Sequence, residues 1–237
     1  MKKLIAIILC AGMLLAFAGC NNDTPGQPSG SATPGADTTP APTAVEPQII
    51  KCEMVIKDYG VIKIDLYAHK APQTVYNFVY LARQGFYNGI VLHRLVQDTA
   101  IYGGVYTEGW KERVPEVGRY TIFGEFSANE FENTLSHGKG VIAMARLSKD
   151  MEDGTSKYDT ASTEFYICLN TANTIPLNGE YATFGVVTEG MEIFEEIAKL
   201  ERRGETIKEP PVITLVSIYG PELPEPDFIF HDTNIEG

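Results

Sequence analysis

Alternating apolar and polar residues mark the first elements of a folded domain. In the segments 52–56 and 61–67 the apolar positions fall on one face of an extended chain, as Met54 and Ile56 do. Alternation over four to eight residues is typical of a half-buried β-strand. The two segments are separated by residues 58–60, which end in glycine. The pattern therefore predicts a β-hairpin.

An amphipathic helix is predicted directly after the hairpin, at 71–82. Pro72 suits a first helical turn, and Gly85 provides a helix end. A second helix is predicted at about 190–200, again from apolar residues that share one face. In the first helix the apolar positions at helical spacing are Val75, Phe78, Val79 and Ala82.

The remaining pattern is rich in β-strands. Further strands are predicted at 90–96, 141–146, 164–169, 182–187 and 212–219. About eight strands and two helices leave too few helices for alternating βαβ units. The expected fold is therefore mainly β, a closed eight-stranded antiparallel barrel capped by two α-helices.

Composition excludes several functional classes. The 237 residues include 31 acidic and 19 basic side chains, for a formal net charge of −12. Nucleic-acid binding needs a basic face, so no nucleic-acid partner is expected. The four cysteines form no CxxC pair, and the four histidines are scattered without metal-ligand spacing. No metal and no cofactor are expected.

The first 20 residues have the form of a secretory signal. Two lysines precede an apolar segment over residues 4–18, which is short for a membrane span. The segment ends in Ala18-Gly19-Cys20, which resembles the lipobox of bacterial lipoproteins. In that family the cysteine is acylated and becomes the mature N-terminus. The resemblance implies a signal peptide at 1–19 and lipidation of Cys20; the alternative is an ordinary cleaved signal.

A low-complexity segment separates the predicted anchor from the folded domain. Residues 20–48 are dominated by Gly, Ser, Thr, Ala and Pro, a composition that buries too little apolar surface to fold. They are expected to form a disordered, lipid-anchored linker. The folded domain is placed at 49–220 and an acidic tail at 221–237. The expected location is outside the cytoplasm, on the bacterial cell membrane.

The order of motifs in the folded region resembles the cyclophilins, which are peptidyl-prolyl cis-trans isomerases built on an eight-stranded barrel with two helices. The resemblance runs from about Cys52 to Tyr219. It is carried by 71–78 (APQTVYNF), 85–87 (GFY), His93-Arg94, Gly103-Gly104, 124–126 (GEF), 140–146 (GVIAMAR), 164–167 (EFYI) and 184–191 (FGVVTEGM).

The resemblance implies that Arg94 is the catalytic residue. Rotation about an X-Pro bond is slow because the amide has partial double-bond character, with a barrier of about 18–20 kcal/mol. An arginine that donates a hydrogen bond toward the prolyl nitrogen near the transition state weakens that character and lowers the barrier.

The residues that the resemblance places around the substrate depart from the usual family pattern. Thr99 and Ala100 stand where Phe and Met are usual, and Tyr102 stands where a glutamine binds the substrate backbone. Tyr166, Leu177 and Met144 are expected to form an apolar slot for the proline. The full set implied to bind substrate is Thr99, Ala100, Tyr102, Met144, Ala145, Arg146, Glu164, Tyr166, Leu177 and Tyr181.

Two functions from different classes follow from these residues. The first is a monomeric prolyl isomerase that assists the folding of extracytoplasmic proteins and acts on proline-containing polypeptides. The second is a binding module that keeps the fold, has weak or no isomerase activity, and grips proline-containing or extended segments. Retained motifs favour the enzyme, and the altered pocket favours the module.

Three features are assigned their simpler interpretation. Cys52 and Cys168 are expected to be buried free thiols rather than a disulfide. The acidic loop 149–160 lacks the spacing of a calcium loop and is expected to be solvated. The tail either lacks order or packs through Phe228, Ile229 and Phe230, and the sequence leaves both possibilities open.

Overall fold

A computed structural model describes residues 49–147 and 157–230. The predicted signal peptide, Cys20 and the linker lie outside the described residues, as does most of the loop 149–160. The strands are β1 (Ile49–Ile56), β2 (Gly60–Tyr67), β3 (Ile90–Val96), β4 (Ala100–Thr107), β5 (Tyr120–Thr121), β6 (Val141–Met144), β7 (Phe165–Cys168), β8 (Thr183–Glu189), β9 (Arg202–Arg203), β10 (Thr206–Ile207), β11 (Ile213–Tyr219) and β12 (Ile229–Phe230). The helices are α1 (Pro72–Arg83), α2 (Thr171–Thr174) and α3 (Met191–Ile197), with 3-10 turns at Ser127–Asn129 and Ile175–Leu177.

The main sheet is antiparallel and has ten strands, in the order β11-β1-β2-β8-β6-β7-β4-β3-β10-β9. The predicted hairpin is confirmed as β1 and β2, with Met54 opposite Ile62. The closed eight-stranded barrel is not confirmed. A short hairpin, β9–β10, adds to the free side of β3 through the pair Thr206–Arg94, and only an isolated bridge, Val91–Val212, joins β3 to the segment before β11.

Helix α1 forms where its apolar spacing predicts. Pro72 lies in the first turn, where a missing N–H costs nothing, and Gly85 follows the helix with a φ of +69°. Phe78 projects from α1 into the core, 4.8 Å from the ring of Tyr87 and 5.4 Å from that of Phe184. The described chain has three α-helices rather than two, because the four-residue α2 is too short to produce a detectable apolar period.

Glu125 closes the N-terminus of α1. Ala71 precedes the helix and has no side-chain oxygen to accept its free N–H groups. The Glu125 carboxylate accepts from the backbone N–H of Gln73 at 2.9 Å, and from the N–H and hydroxyl of Thr74 at 2.8 and 2.7 Å. Burial raises the pKa of Glu125, and these hydrogen bonds act against that rise. A glutamate distant in sequence thus supplies the cap.

The described part of the C-terminal tail packs on the domain. Phe228 lies 4.2 Å from the ring of Tyr120 and 5.4 Å from that of Tyr80, and strand β12 pairs with β5. Gln73 and Asp227 exchange hydrogen bonds across the junction. Of the two possibilities left open by the sequence, packing is confirmed through Phe228, whereas the Ile229 side chain is 44% exposed.

Both cysteines of the folded region are buried and free, as predicted. Burial raises the pKa of Cys52 and of Cys168 to about 12, so neither thiol is ionised at neutral pH. Among the residues that the structure covers, no helix is long and apolar enough to cross a membrane.

Candidate active site

Arg94 lies on β3, with strands on both sides that fix its surroundings. On one side it is paired with Tyr102 of β4, and on the other with Thr206 of β10. Glu205, which precedes Thr206, accepts a hydrogen bond from Arg94 Nε at 2.7 Å. The β9–β10 hairpin therefore brings a carboxylate to an arginine 111 residues earlier in the chain.

The Arg94 guanidinium is held in place but remains accessible. Its carbon lies 4.5 Å from the ring centre of Tyr102, a cation–π contact, and its side chain is 41% exposed. Burial lowers the pKa of Arg94, but the hydrogen bond and charge of Glu205 outweigh this effect and raise it overall. Within the described residues the hydrogen bonds of this side chain use only Nε, so Nη1 and Nη2 are available to a substrate.

A row of three tyrosines continues from Arg94. The Tyr102 ring lies 5.1 Å from Tyr166, and Tyr166 makes an edge contact of 5.9 Å with Tyr181. At the far end, the Arg146 guanidinium lies 4.7 Å from the ring centre of Tyr181. Burial raises the pKa of Tyr102 to about 12, against the opposing effect of Arg94. Tyr102 is therefore uncharged at neutral pH, and the row is bounded by two arginines.

Arg146 is a mostly buried residue that stabilises this face. Its side chain is only 8% exposed, and it donates from Nε to the Glu180 backbone oxygen at 2.7 Å and from Nη2 to the Glu180 carboxylate at 3.0 Å. The guanidinium also packs on Phe126 and Tyr158. Arg146 thereby fixes the segment that carries Tyr181.

The Glu164 carboxylate contacts His93 and is also partly exposed to solvent. Its Oε1 lies 3.2 Å from His93 Nε2, and its side chain is 32% exposed. His93 is buried, and its Nδ1 has no hydrogen-bond partner in the described structure. A neutral ring with the hydrogen on Nε2 leaves only a lone pair unsatisfied at Nδ1, so this tautomer fits the site.

The structure gathers most of the predicted substrate-binding residues but not all of them. One apolar cluster contains Ala100, Tyr102, Ala145, Tyr166, Leu177 and Tyr181. Met144 lies in the other cluster, the main core, and is 1% exposed. Thr99 lies in the β3–β4 turn, where its hydroxyl donates to the Gln97 backbone oxygen. The slot of Tyr166, Leu177 and Met144 is thus divided between two clusters.

A cavity of about 330 Å³ adjoins this face. Its lining includes Ala145, Arg146 and Glu164 on one side and Arg113 and Arg119 on the other. A larger cavity, of about 470 Å³, is lined by none of the predicted site residues. No three His, Cys, Asp or Glu side chains in the described ranges are grouped to hold a metal ion.

Three residues of the site were missed from the sequence: Glu205, His137 and Asn178. Glu205 holds Arg94, and His137 and Asn178 form a chain of hydrogen bonds behind Tyr166. No local pattern connects them to the site. The only signal was the presence of a buried tyrosine hydroxyl at position 166, which requires a partner.

Comparison with known proteins places this geometry in a family. Residues 51–218 match the family model described as "Cyclophilin type peptidyl-prolyl cis-trans isomerase/CLD". A peptidyl-prolyl cis-trans isomerase of Acinetobacter baylyi is 33% identical over 144 residues, which are 60% of this chain and 68% of that protein. Peptidyl-prolyl cis-trans isomerase B of Escherichia coli is 30% identical over 146 residues, 59% of this chain and 79% of the relative.

Solved structures agree at the level of the fold. A cyclophilin type peptidyl-prolyl cis-trans isomerase of Cryptosporidium parvum superposes with a TM-score of 0.59 at 23% identity, covering 73% of this chain and 99% of that one. The chain belongs to the family of cyclophilin-type peptidyl-prolyl cis-trans isomerases. It is accordingly an enzyme of the isomerase class.

Proposed function

We propose that this isomerase acts on X-Pro bonds of extracytoplasmic proteins at the face formed by Arg94 and the tyrosine row, while held at the membrane by a lipid on Cys20. The observation that carries the proposal is the setting of Arg94. Glu205 and Tyr102 fix its guanidinium, and two terminal nitrogens stay available. A related Cryptosporidium parvum structure was determined in the presence of the dipeptide Ala-Pro, which supports a proline-containing ligand here.

The arginine contributes through the transition state. As the peptide bond twists, the prolyl nitrogen becomes pyramidal and gains a lone pair, which the guanidinium can bind. The planar amide of the ground state has no such lone pair, so the interaction lowers the barrier without tightening substrate binding. A charge-assisted hydrogen bond of about 1.5–3 kcal/mol raises the isomerisation rate constant by about one to two orders of magnitude.

The fixed position of Arg94 adds to this effect. A free arginine would lose rotamer entropy on reaching the transition state. Here the Nε hydrogen bond and the ring contact hold the side chain in place before substrate binds. Reaching about 10 s⁻¹ from an uncatalysed time of tens to hundreds of seconds requires roughly three decades. Holding the proline in position beside Arg94, with Leu177 as an apolar contact, would supply the remainder.

Tyr102 favours a second candidate, a binding module with weak turnover. Its ring occupies the space between Arg94 and Tyr166, in contact with both. A proline that entered beside Arg94 would have to displace this ring. In that case the face would hold extended or proline-containing segments on its surface, and isomerisation would be slow.

Replacing Tyr102 separates the two candidates. For the isomerase, Tyr102→Gln removes the ring that holds Arg94, and we expect kcat/KM to fall roughly threefold to tenfold, corresponding to about 1 kcal/mol. Protease-coupled isomerisation of an Ala-Pro peptide measures the effect. Tyr219→Gln, at an exposed tyrosine of β11, is the matched control. A rise in kcat/KM would show that the ring blocks the space beside Arg94 and would favour the binding module.

Membrane attachment is tested by removing the proposed lipid site. Cys20→Ala should move the protein from the membrane fraction to the soluble fraction, because two acyl chains suffice for stable anchoring and an unlipidated linker has none. Cell fractionation and the mass of the mature N-terminus give the readout. A variant that stays in the membrane and keeps residues 1–19 would identify the apolar segment as an anchor helix instead.

The proposed activity is tested on a panel of short X-Pro peptides that differ in the residue before proline. We expect catalysis of cis-to-trans isomerisation above the uncatalysed rate for at least one member of the panel. If no peptide is isomerised, titration of the same peptides by NMR determines whether the face is a binding module.

A further inference from the structure

A chain of hydrogen-bonded polar groups lies directly behind the tyrosine row, and two of its three members are buried. Tyr166 is 1% exposed, and its hydroxyl lies 2.9 Å from Nε2 of His137. His137 is 3% exposed, and its Nδ1 lies 2.9 Å from Oδ1 of Asn178. The rings of His137 and Tyr166 are nearly parallel, at 9°. Asn178 is exposed, so the chain runs from the surface inward to the buried hydroxyl at the centre of the tyrosine row.

The direction of these hydrogen bonds follows from a single backbone contact. The backbone N–H of His137 donates to Oδ1 of Asn178 at 2.6 Å, which fixes that atom as the carbonyl oxygen of the amide. An oxygen can only accept, so His137 Nδ1 must carry a hydrogen. In a neutral ring Nε2 then has a lone pair, and it accepts the hydrogen of the Tyr166 hydroxyl.

The surroundings keep both groups neutral. Burial lowers the pKa of His137, and the hydrogen bond to Asn178 offsets this only in part. Burial also raises the pKa of Tyr166 well above its usual range. At neutral pH His137 therefore has a single tautomer, and the hydrogen bonds run in one direction. The backbone N–H and the Nδ1–H of His137 donate to Asn178, and the Tyr166 hydroxyl donates to Nε2 of His137.

The hydrogen bond controls where the Tyr166 ring lies. A buried hydroxyl without an acceptor is destabilising, and the ring would shift to find another partner. Any shift is transmitted to Tyr102 and Tyr181, whose rings contact the Tyr166 ring. Tyr102 in turn supports Arg94. The position of the catalytic arginine thus depends on a histidine that does not reach the substrate.

We infer that His137 is a positioning residue: held by Asn178, it accepts the Tyr166 hydroxyl and thereby sets the tyrosine row on which Arg94 rests. The inference rests on the proposed function, because it concerns the same face. It predicts that replacing His137 lowers kcat/KM only while the Tyr166 hydroxyl is present. If His137 merely filled space, its replacement would lower kcat/KM equally with tyrosine or phenylalanine at position 166.

A double-mutant cycle tests this dependence. His137→Leu removes the acceptor at similar volume and is expected to lower kcat/KM roughly five- to tenfold. In a Tyr166→Phe background, which has no hydroxyl to satisfy, the same change should cost less than twofold. His69→Leu, at an exposed histidine, is the control. Equal losses in the two backgrounds would overturn the inference.

The tautomer gives a readout that does not depend on activity. In ¹⁵N-histidine NMR spectra, the signal that disappears in His137→Gln should show hydrogen on Nδ1 and a lone pair on Nε2. Hydrogen on Nε2, or a doubly protonated ring at neutral pH, would contradict the proposed arrangement. Should His137→Leu fail to fold, the cycle is run with His137→Phe, a planar ring that also lacks an acceptor and is expected to lower kcat/KM only while the Tyr166 hydroxyl is present.

Failure of the isomerase proposal is distinguished by the wild-type protein. If the wild type does not accelerate isomerisation, the proposed function fails, and the cycle is measured as the affinity for an Ala-Pro peptide instead. Coupling between His137→Leu and Tyr166→Phe in that affinity would still support the positioning role. Additive effects on affinity would overturn it.

Discussion

Replacing Arg94 by alanine is expected to lower kcat/KM by about one to two decades while leaving peptide affinity nearly unchanged. The loss equals the about 1.5–3 kcal/mol of a charge-assisted hydrogen bond that forms only as the prolyl nitrogen becomes pyramidal. The ground state makes no such bond, so KM or a measured Kd should change little. The fold should survive, because the side chain is 41% exposed.

Two further variants make the Arg94 result specific. Arg94→Lys should restore little, since a flexible ammonium lacks the planar fork and cannot reproduce the Nε contact with Glu205. Arg203→Ala, at an exposed arginine of β9, should behave like the wild type. Coupled-assay kinetics together with NMR titration give rate and affinity separately. Full activity in Arg94→Ala would remove Arg94 from the mechanism and point to a contaminating isomerase.

Replacing Glu125 by glutamine is expected to lower the free energy of unfolding by about 1.5–3 kcal/mol. Its two carboxylate oxygens accept three hydrogen bonds from Gln73 and Thr74 at the N-terminus of α1. A glutamine has one oxygen, so its NH₂ group would face an N–H or hydroxyl donor in a buried site. The favourable charge at the positive end of the helix is lost as well.

Urea denaturation at neutral pH measures the effect of Glu125→Gln. Glu132→Gln, at an exposed glutamate seven residues later, is the matched control and should shift stability by less than about 0.5 kcal/mol. If the two variants have the same stability, the carboxylate does not contribute as a cap, and α1 is held by apolar packing alone.

The elements predicted correctly are those with a strong local period. Apolar and polar residues alternate along the whole β1–β2 hairpin, and the apolar residues of α1 recur on one face of the helix. Each pattern is therefore compatible with only one type of secondary structure. Strand β4 was missed because Gly103 and Gly104 suggested a turn. The structure explains these glycines: a Cβ at Gly104 would lie 2.2 Å from the Thr163 carbonyl oxygen. Close approach of two backbones, which sequence does not encode locally, requires them.

Residues of the candidate site could be predicted only where they belong to a recognisable sequence motif. Arg94, Tyr102 and Tyr166 were found through the resemblance, and the structure brings them together. Glu205 was not found, because it reaches Arg94 through the β9–β10 hairpin and not through any sequence period. The same hairpin explains why the closed barrel was not confirmed, since β10 adds to β3.

Met144 illustrates a different limit. Its neighbour Ala145 lies in the cluster around Tyr166, but strand geometry sends successive side chains to opposite faces. Met144 therefore lies in the main core, where it is 1% exposed. A motif identifies a strand and its register, whereas the side that each residue faces depends on how that strand is placed in the sheet.

The most direct test of the central claim is NMR exchange spectroscopy on an Ala-Pro peptide with a catalytic amount of the folded domain. Without catalyst the two isomers interconvert in tens to hundreds of seconds, too slowly for exchange peaks at a mixing time of about 1 s. We predict cis–trans exchange peaks with the wild-type protein and their loss or strong reduction with Arg94→Ala. Spectra of the wild type that match the peptide alone, across the X-Pro panel, would contradict isomerisation at this face.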